Sequence, residues 1–418
     1  MMEISNVGSP IAFLRFGRTL AVLCGRVVSL CWLALFSRRR KGLFDAWLTD
    51  TVVALGPAYV KAAQLLGTRA DLLSPRVCRA LSRLYDSVRP MPSRAATELL
   101  SARFPDTPAD LVGSGSIACV YRLGDVAVKL RRPGIERALT RDLAVMRKLT
   151  RALSKAPMLR GVPVVDIVDQ ITESVHAQLD LTREANALKG FREAMNSVAG
   201  VTVPAVRQDM STEDCLVMGF VDGLVRRSPA ELAEPESQLA VLTALRAVYR
   251  MLFLDGVVHC DLHPGNLYFR ADGTIVILDA GFTVTLTDLA REKFAAFFYC
   301  MSQGDGEACA DIVLSTAQRA AKSDADGFRV ELVKLIEGSA GRPAAEFDLV
   351  SFAASLFDLQ RRYGFYADPQ FVFPILSLLV LEGTIRRFHP AVDFQGAAKP
   401  FLMTALIERV LVAGKETP

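Results

Sequence analysis

Apolar and polar positions change rhythm several times along this chain. Residues 121–130, YRLGDVAVKL, alternate in strand fashion around Gly124 and Asp125, which predicts a tight β-hairpin. TIVILDAG, residues 274–281, reads as a short buried strand ending in Asp279. RADG before it reads as a hairpin turn, with Gly273 supplying a positive φ. CLVMGFVDG, residues 215–223, is an apolar strand, a small residue and a turn. The helical period takes over in ITESVHAQLDLTREANALKGFREAM, residues 171–195, which reads as one helix with Asp180 and Glu184 four apart on one face. DAGFTVTLTDLAREKFAAFFYCM, residues 279–301, is expected to pass almost directly into an amphipathic helix. The apolar run FVFPILSLLVLEG, residues 371–383, is too short and too capped by Pro374 to span a membrane, and reads as core.

Candidate chemistry sits where strands give way to loops. Asp261 is followed five residues later by Asn266, and thirteen residues after that by Asp279. H-x-D-x-x-x-x-N followed by D-x-G is the layout of a kinase catalytic loop and its metal-binding Asp. In that layout Asp261 orients or deprotonates the acceptor, while Asn266 and Asp279 hold Mg2+ against the phosphates of ATP. Upstream, GSGSIACVYRLGDVAVKL reads G-x-G-x-x-A-x-V, a turn, then V-A-V-K. Gly113, Ser114, Gly115, Ser116, Ala118 and Val120 form a glycine-rich hairpin whose backbone amides approach phosphates closely. Lys129 lands on a strand among apolar residues and needs a phosphate and a carboxylate as partners. Glu184 is the expected carboxylate, although it follows Lys129 by 55 residues, with the segment RRPGIERALTRDLAVMRKLTRALSKAP inserted between them. The backbone around Gly219, Phe220 and Val221 is placed to hydrogen-bond adenine.

LGPAYVKAAQLLGTRADLLSPRVCRALSRLYDSVRPMP, residues 55–92, resembles the signature stretch of the UbiB/AarF atypical kinases, called ADCK proteins in eukaryotes. VAVKLRRPGI, LDLTREANAL, VMGFVDG, HCDLHPGN and LEGTIRRFHPAVDF add to the resemblance, which covers the chain from about Ala46 to about Phe401. It implies an α+β, bilobal protein-kinase-like fold with an N-terminal helical extension. It implies ATP binding, with ATPase activity better supported than protein phosphorylation, and a link to ubiquinone and other isoprenoid lipids, often at membranes. Lys61 and Gln64 match the ends of the family's K-x-G-Q motif and are expected to reach into the cleft and restrict access. Lys129, Glu184, Asp261, Asn266 and Asp279 match its ATP-lobe, catalytic and metal-binding residues. Ala63 stands where the family has Gly, Gln178 where it has Glu, GSGS where its nucleotide loop is alanine-rich, and Gly219 where it has a hinge acid. The expected divisions are residues 1–45, an apolar and basic helix; 46–100, the family extension; 101–222, the N-lobe with its helical insert; and 223–418, the helical C-lobe.

No A-P-E follows D-x-G, so a peptide has little to dock on, and the expected acceptor is a small molecule or an isoprenoid lipid. Hydrolysis coupled to a conformational change is the other use of ATP. Two other readings stay open: an aminoglycoside-type phosphotransferase, and a non-catalytic lipid-binding scaffold that senses nucleotide. Biosynthetic enzymes are possible partners.

A formal net charge of +4 gives no reason to invoke nucleic acid. Hydrophobic residues make up 51% of the chain, which is apolar enough to expect membrane contact. Eight cysteines without a C-x-x-C pair read as reduced thiols in a cytoplasmic setting, and four histidines without ligand spacing argue against zinc. His259 and His263 flank Asp261 and read as loop-structuring residues, while His176 and His389 read as packing or surface residues. Residues 11–41 could be a signal peptide, a transmembrane helix over 19–36 or a helix lying in the interface. The third reading is preferred. Arg15, Arg18 and Arg26 fall within about 80° of one another on a helix and are joined by Thr19 and Ser29, opposite a wide apolar face. Trp32 and the basic run 38–41 suit a headgroup boundary, which gives a cytoplasmic protein peripherally bound to a membrane.

Overall fold

The structure is a computed structural model. It describes residues 17, 21–22, 25–26, 29, 43–67, 73, 75–82, 84, 90–154, 164–224, 228–262, 265–320, 322–339 and 346–413. The fold is α+β. It divides into two compact units, Met1–Leu181 with Thr212–Val217, and Thr182–Ser211 with Met218–Pro418.

In the first unit, helices α1 (Leu43–Leu55), α2 (Pro57–Gly67) and α3 (Pro75–Ser82) pack on one another. The described residues of the preceding segment are helical, and Arg26 and Ser29 are half-buried. The Trp47 indole of α1 donates to the Arg26 carbonyl at 2.9 Å, and the Arg26 guanidinium donates to the Asp50 carbonyl at 3.4 Å. Arg15, Arg18, Thr19, Trp32 and the 38–41 run lie outside the described residues.

Helix α4 (Ser93–Arg103) lies on a sheet of order β1-β2-β3-β5: β1 (Asp110–Ser114), β2 (Ala118–Leu123), β3 (Val126–Arg131) and β5 (Cys215–Gly219). Met91, Leu100, Tyr121, Val128, Leu130 and Val217 form the core between them. Burying apolar surface at about 25 cal/mol per Å2 is what holds such a helix on such a sheet. Outside that core, the Arg103 guanidinium grips both carboxylate oxygens of Asp214, at 2.7 and 2.8 Å. The β2–β3 hairpin forms as the alternation predicts, with Leu123 opposite Val126 and Gly124 at φ +60°.

The inserted segment forms α5 (Ile135–Leu153), which packs on α6 (Val164–Ala177) and is joined to it by an Arg147–Asp169 ion pair at 2.5 Å. The single helix expected over 171–195 is two, α6 and α7 (Leu181–Met195). The chain turns at residues 178–180 because outside groups take the backbone there. Arg131 donates to the Leu179 carbonyl at 2.6 Å, and the Leu181 amide donates to the Glu213 carbonyl at 3.0 Å. Asp180 therefore precedes the helix that carries Glu184 and does not share a helical face with it.

In the second unit, α8 (Glu236–Arg250) widens into a π turn over Met251–Asp255. Gly256 at φ +69° closes that turn and starts β6 (Val257–His259). Hairpin β7 (Leu267–Phe269) and β8 (Ile275–Ile277) turns at Gly273, φ +78°, as expected, and β4 (Val201–Thr202) joins β8 in parallel. D-x-G passes into the expected helix after one short strand. Strand β9 (Thr283–Thr285) first pairs antiparallel with β6, its β-branched residues favouring an extended chain. Thr287 then caps α9 (Asp288–Gln303), accepting from the Ala290 amide at 3.2 Å.

Helices α10 (Gly306–Thr316), α11 (Ala325–Glu337), α12 (Leu349–Arg362), α13 (Pro369–Phe388) and α14 (Phe394–Ala413) complete this unit, with β10 (Gln318–Arg319) paired to β11 (Phe365–Tyr366). Pro374 does not cap an apolar run; it lies inside α13. There, in the second turn, its missing N–H forgoes only the bond to the Gln370 carbonyl. Tyr249, wholly buried, stacks on Phe253 and donates to the Phe394 carbonyl at 2.6 Å. Among the described residues one helix, Glu236–Asp255, is long and apolar enough to cross a membrane, and 67% of it is buried within the fold.

Candidate active site

The loop after β6 is built around His259. Its ring is wholly buried. Nδ1 accepts from the Asp261 amide at 3.1 Å, so the ring proton sits on Nε2, which donates to the Asp279 carbonyl at 2.7 Å. Burial holds the imidazole below its ordinary pKa, against the pull of the Asp261 and Asp279 carboxylates. A neutral ring thus ties the backbone of Asp261 to the backbone of Asp279. The sequence reading of His259 as a loop-structuring residue matches this geometry. His263 lies outside the described residues. Phe191 of α7 packs against the ring at 5.8 Å, and the Ser377 hydroxyl of α13 donates to the His259 carbonyl. Cys260 is buried beside it, and burial pushes its thiol well up, which leaves it a small apolar group rather than a nucleophile.

Asn266 closes the same loop. Its side-chain amide donates to the Asp261 carbonyl at 2.9 Å, and its backbone carbonyl accepts from the Leu278 amide at 2.8 Å. That bond turns the amide nitrogen to the loop and leaves the amide oxygen as the atom that can bind a cation. Asp279 adopts φ +51°, a strained conformation for a residue with a side chain. Its Oδ1 accepts from the Gly281 amide at 3.0 Å. A Cβ added to Gly281 would lie 3.0 Å from Asp279 Oδ1 and 3.4 Å from Glu184 Oε2. Two carboxylates therefore converge on that glycine, and Glu184 is only 4% exposed. The structure brings Asp261, Asn266, Asp279 and Glu184 into one unit. Gly219, Phe220 and Val221 belong to that unit too, with the Gly219 amide donating to the Ala205 carbonyl at 2.8 Å.

The glycine hairpin and Lys129 belong to the other unit. Gly113 pairs with Val120, and Val120 with Lys129, so the three positions lie on one face of the sheet. The bend into the turn is a register shift between Leu111 and Gly113, and the Gly115 amide donates to the Ala118 carbonyl at 2.9 Å. An added Cβ at Gly113 would only touch Val120, at 4.0 Å, so nothing in the chain needs that side chain to be missing. Ser114 and Ser116 are half-buried and Ala118 is buried. Arg132 clamps the turn: Nη2 donates to Ser114 Oγ at 2.8 Å and Nε to the Gly115 carbonyl at 3.0 Å. Arg132→Ala is expected to speed amide exchange at Gly115 and Ser116 at least about tenfold, since bonds from a charged donor contribute about 1.5–3 kcal/mol. Unchanged exchange, read by mass spectrometry, would show that the clamp holds nothing.

Lys61 and Gln64 sit on α2, which packs on α5 and α6. Gln64 is 5% exposed and donates to the Leu84 carbonyl at 3.0 Å, so it ties the extension together. Ala63 is buried as well.

Two residues escaped the sequence reading. Arg132 carries no local signal, because its role depends on where the hairpin register places Ser114. Ser377 did carry one: a lone hydroxyl in an apolar run needs a partner when buried.

Asn266 and Asp279 offer hard oxygen donors suited to Mg2+, which takes one or two carboxylates and completes its shell with phosphate and water. Among the described residues no group of three or more His, Cys, Asp or Glu is placed to hold a metal ion alone.

Residues 83–313 match the model of the ABC1 atypical kinase-like domain, more than half of the chain. A protein of Haemophilus ducreyi described as a probable protein kinase UbiB is 28% identical over 396 residues, 88% of this chain and 72% of that protein. A probable protein kinase UbiB of Aeromonas hydrophila is 28% identical over 91% of this chain and 73% of its own length. An uncharacterised protein of Synechocystis is 26% identical over 72% of this chain and 80% of its length. Among solved structures, the erythromycin complex of Rv3197 from Mycobacterium tuberculosis superposes with a TM-score of 0.56 at 17% identity, over 89% of this chain and 97% of that one.

Proposed function

This chain belongs to the ABC1 atypical kinase-like family, and we propose that it is an ATP-dependent phosphotransferase or ATPase serving isoprenoid-quinone or related lipid synthesis. The observation that carries the reading is the His259 tie. One neutral ring holds the backbones of Asp261 and Asp279, and Asn266 braces the loop between them. Prepaid positioning of this kind is what phosphoryl transfer requires of a protein.

In the proposed arrangement, residues 113–118 cradle the phosphates of ATP, with Val120 packing beside them. Lys129 pairs with phosphate, and the backbone at Gly219, Phe220 and Val221 receives adenine. Asn266 and Asp279 hold Mg2+, whose charge offsets that of the phosphate oxygens. Asp261 orients the acceptor hydroxyl or a water and takes its proton. Lys61 restricts access to the glycine hairpin from the extension, while Gln64 is held inside the extension by its bond to Leu84. Only β9 separates D-x-G from α9, so no peptide platform follows, which supports a small-molecule or lipid acceptor.

Phosphate release from Mg-ATP by the purified chain, with and without anionic vesicles, tests the reading. Nucleotide binding without any turnover would leave a nucleotide-sensing scaffold instead. We further propose that residues 11–41 bind the membrane surface of a cytoplasmic protein. Deleting the first ~40 residues is expected to abolish co-sedimentation with anionic liposomes; unchanged co-sedimentation would remove the anchor.

A further inference from the structure

Helix α13 packs on both strands of the ribbon that leads into the catalytic loop. That ribbon is β6 against β9, with Val257 opposite Thr285 and His259 opposite Thr283. One end closes with the Leu286 amide donating to the Gly256 carbonyl at 2.7 Å, the other with the Cys260 amide donating to the Phe282 carbonyl at 3.0 Å. Asp261 follows the Cys260 end, and Thr287 follows the Leu286 end.

Two polar side chains of α13 meet this backbone, one near each end. The Ser377 hydroxyl, wholly buried, donates to the His259 carbonyl. The Gln370 side-chain oxygen accepts from the Thr287 amide at 3.0 Å. Two helical turns separate the two residues, which puts them on one face of α13 about 10 Å apart along its axis. The extended stretch from Thr283 to Thr287 covers a similar length, about 13 Å. Asp368 caps the helix by accepting from the Gln370 amide at 2.9 Å, which fixes the backbone of the residue that reaches Thr287. Apolar packing alone is non-directional, whereas two hydrogen bonds at opposite ends set one register between helix and ribbon.

We propose that Gln370 and Ser377 are positioning residues for the phosphoryl-transfer site: they hold the β6–β9 ribbon from both ends and so keep Asp261 in place against Asp279. The role in turnover rests on the functional reading above. His259 ties the two acids from inside the loop, and α13 keeps the strands that flank them from sliding. Both residues act through the ribbon, not on a substrate.

The test is hydrogen exchange on the full chain without nucleotide, read by mass spectrometry, beside the kinetics of phosphate release. Gln370→Leu removes the acceptor at the Thr287 end. It is expected to speed exchange about fivefold not only at Thr287 but also across residues 258–261 at the far end, one hydrogen bond's worth of loosening. At saturating Mg-ATP, turnover should fall about fivefold, with KM for ATP within about twofold of wild type. Gln370→Glu keeps an acceptor in the first turn of a helix, where a carboxylate is tolerated, and is expected to behave as the wild type in both readouts. Ser377→Ala is expected to speed exchange across residues 284–287, the reciprocal effect. Should that variant misfold, the two Gln370 variants still decide the point. Faster exchange confined to Thr287 in Gln370→Leu overturns the proposal. So does a change in KM without a change in turnover, or a Gln370→Glu chain as impaired as Gln370→Leu. A wild type without turnover would sink the functional reading alone, and the exchange pattern would still decide whether α13 holds the ribbon.

Discussion

Asp279→Asn is expected to reduce Mg2+-dependent ATP turnover at least about 100-fold, in line with removing one strong electrostatic group from a transition state. The fold should survive the change. Asn tolerates the left-handed conformation that Asp279 adopts at φ +51°, and its side-chain oxygen can still accept from the Gly281 amide. What is lost is the negative charge, and with it the grip on a divalent cation. The two readouts are phosphate release and thermal melting on the same preparation. A variant that turns over at the full rate would remove Asp279 from the chemistry. A variant that loses turnover by unfolding would leave its role open to a second substitution, Asp261→Asn, which is expected to keep nucleotide binding and lose turnover.

The second large effect concerns His259→Leu. Leucine fills much of the ring's volume but offers no nitrogen. The Asp261 amide and the Asp279 carbonyl then lose their partner in a buried site, each at a cost of about 1–3 kcal/mol. The expected loss is about 3 kcal/mol or more, seen as a lower denaturant midpoint with the slope unchanged. Turnover should fall with it, because the loop and the D-x-G strand are no longer held in register. A His259→Leu chain as stable as the wild type would show that the ring is filling space rather than holding the loop.

What could be read in advance depended on the range of the interactions. The β2–β3 and β7–β8 hairpins were legible because each is closed by neighbours in sequence, through Gly124 and Gly273. The spacing of Asp261, Asn266 and Asp279 was legible for the same reason, since one loop and one hairpin contain all three. The break between α6 and α7 was not. It is set by Arg131 and Glu213, which reach it from distant strands and loops, against a local helical period. The strained backbone of Asp279 and the Arg132 clamp are likewise products of register. The proposed membrane-surface segment was legible only as a pattern of residues 11–41. Of its proposed basic stripe, Arg26 and Ser29 are half-buried, with Arg26 bonded to α1.

The most direct measurement follows ATP labelled in its γ-phosphate, incubated with the purified chain, Mg2+, anionic vesicles and an isoprenoid phenol. Free phosphate and labelled lipid are counted separately. Magnesium-dependent release of phosphate, or label on the lipid, that disappears in Asp279→Asn is the predicted result. A chain that neither binds nucleotide nor releases or transfers phosphate under these conditions would contradict it.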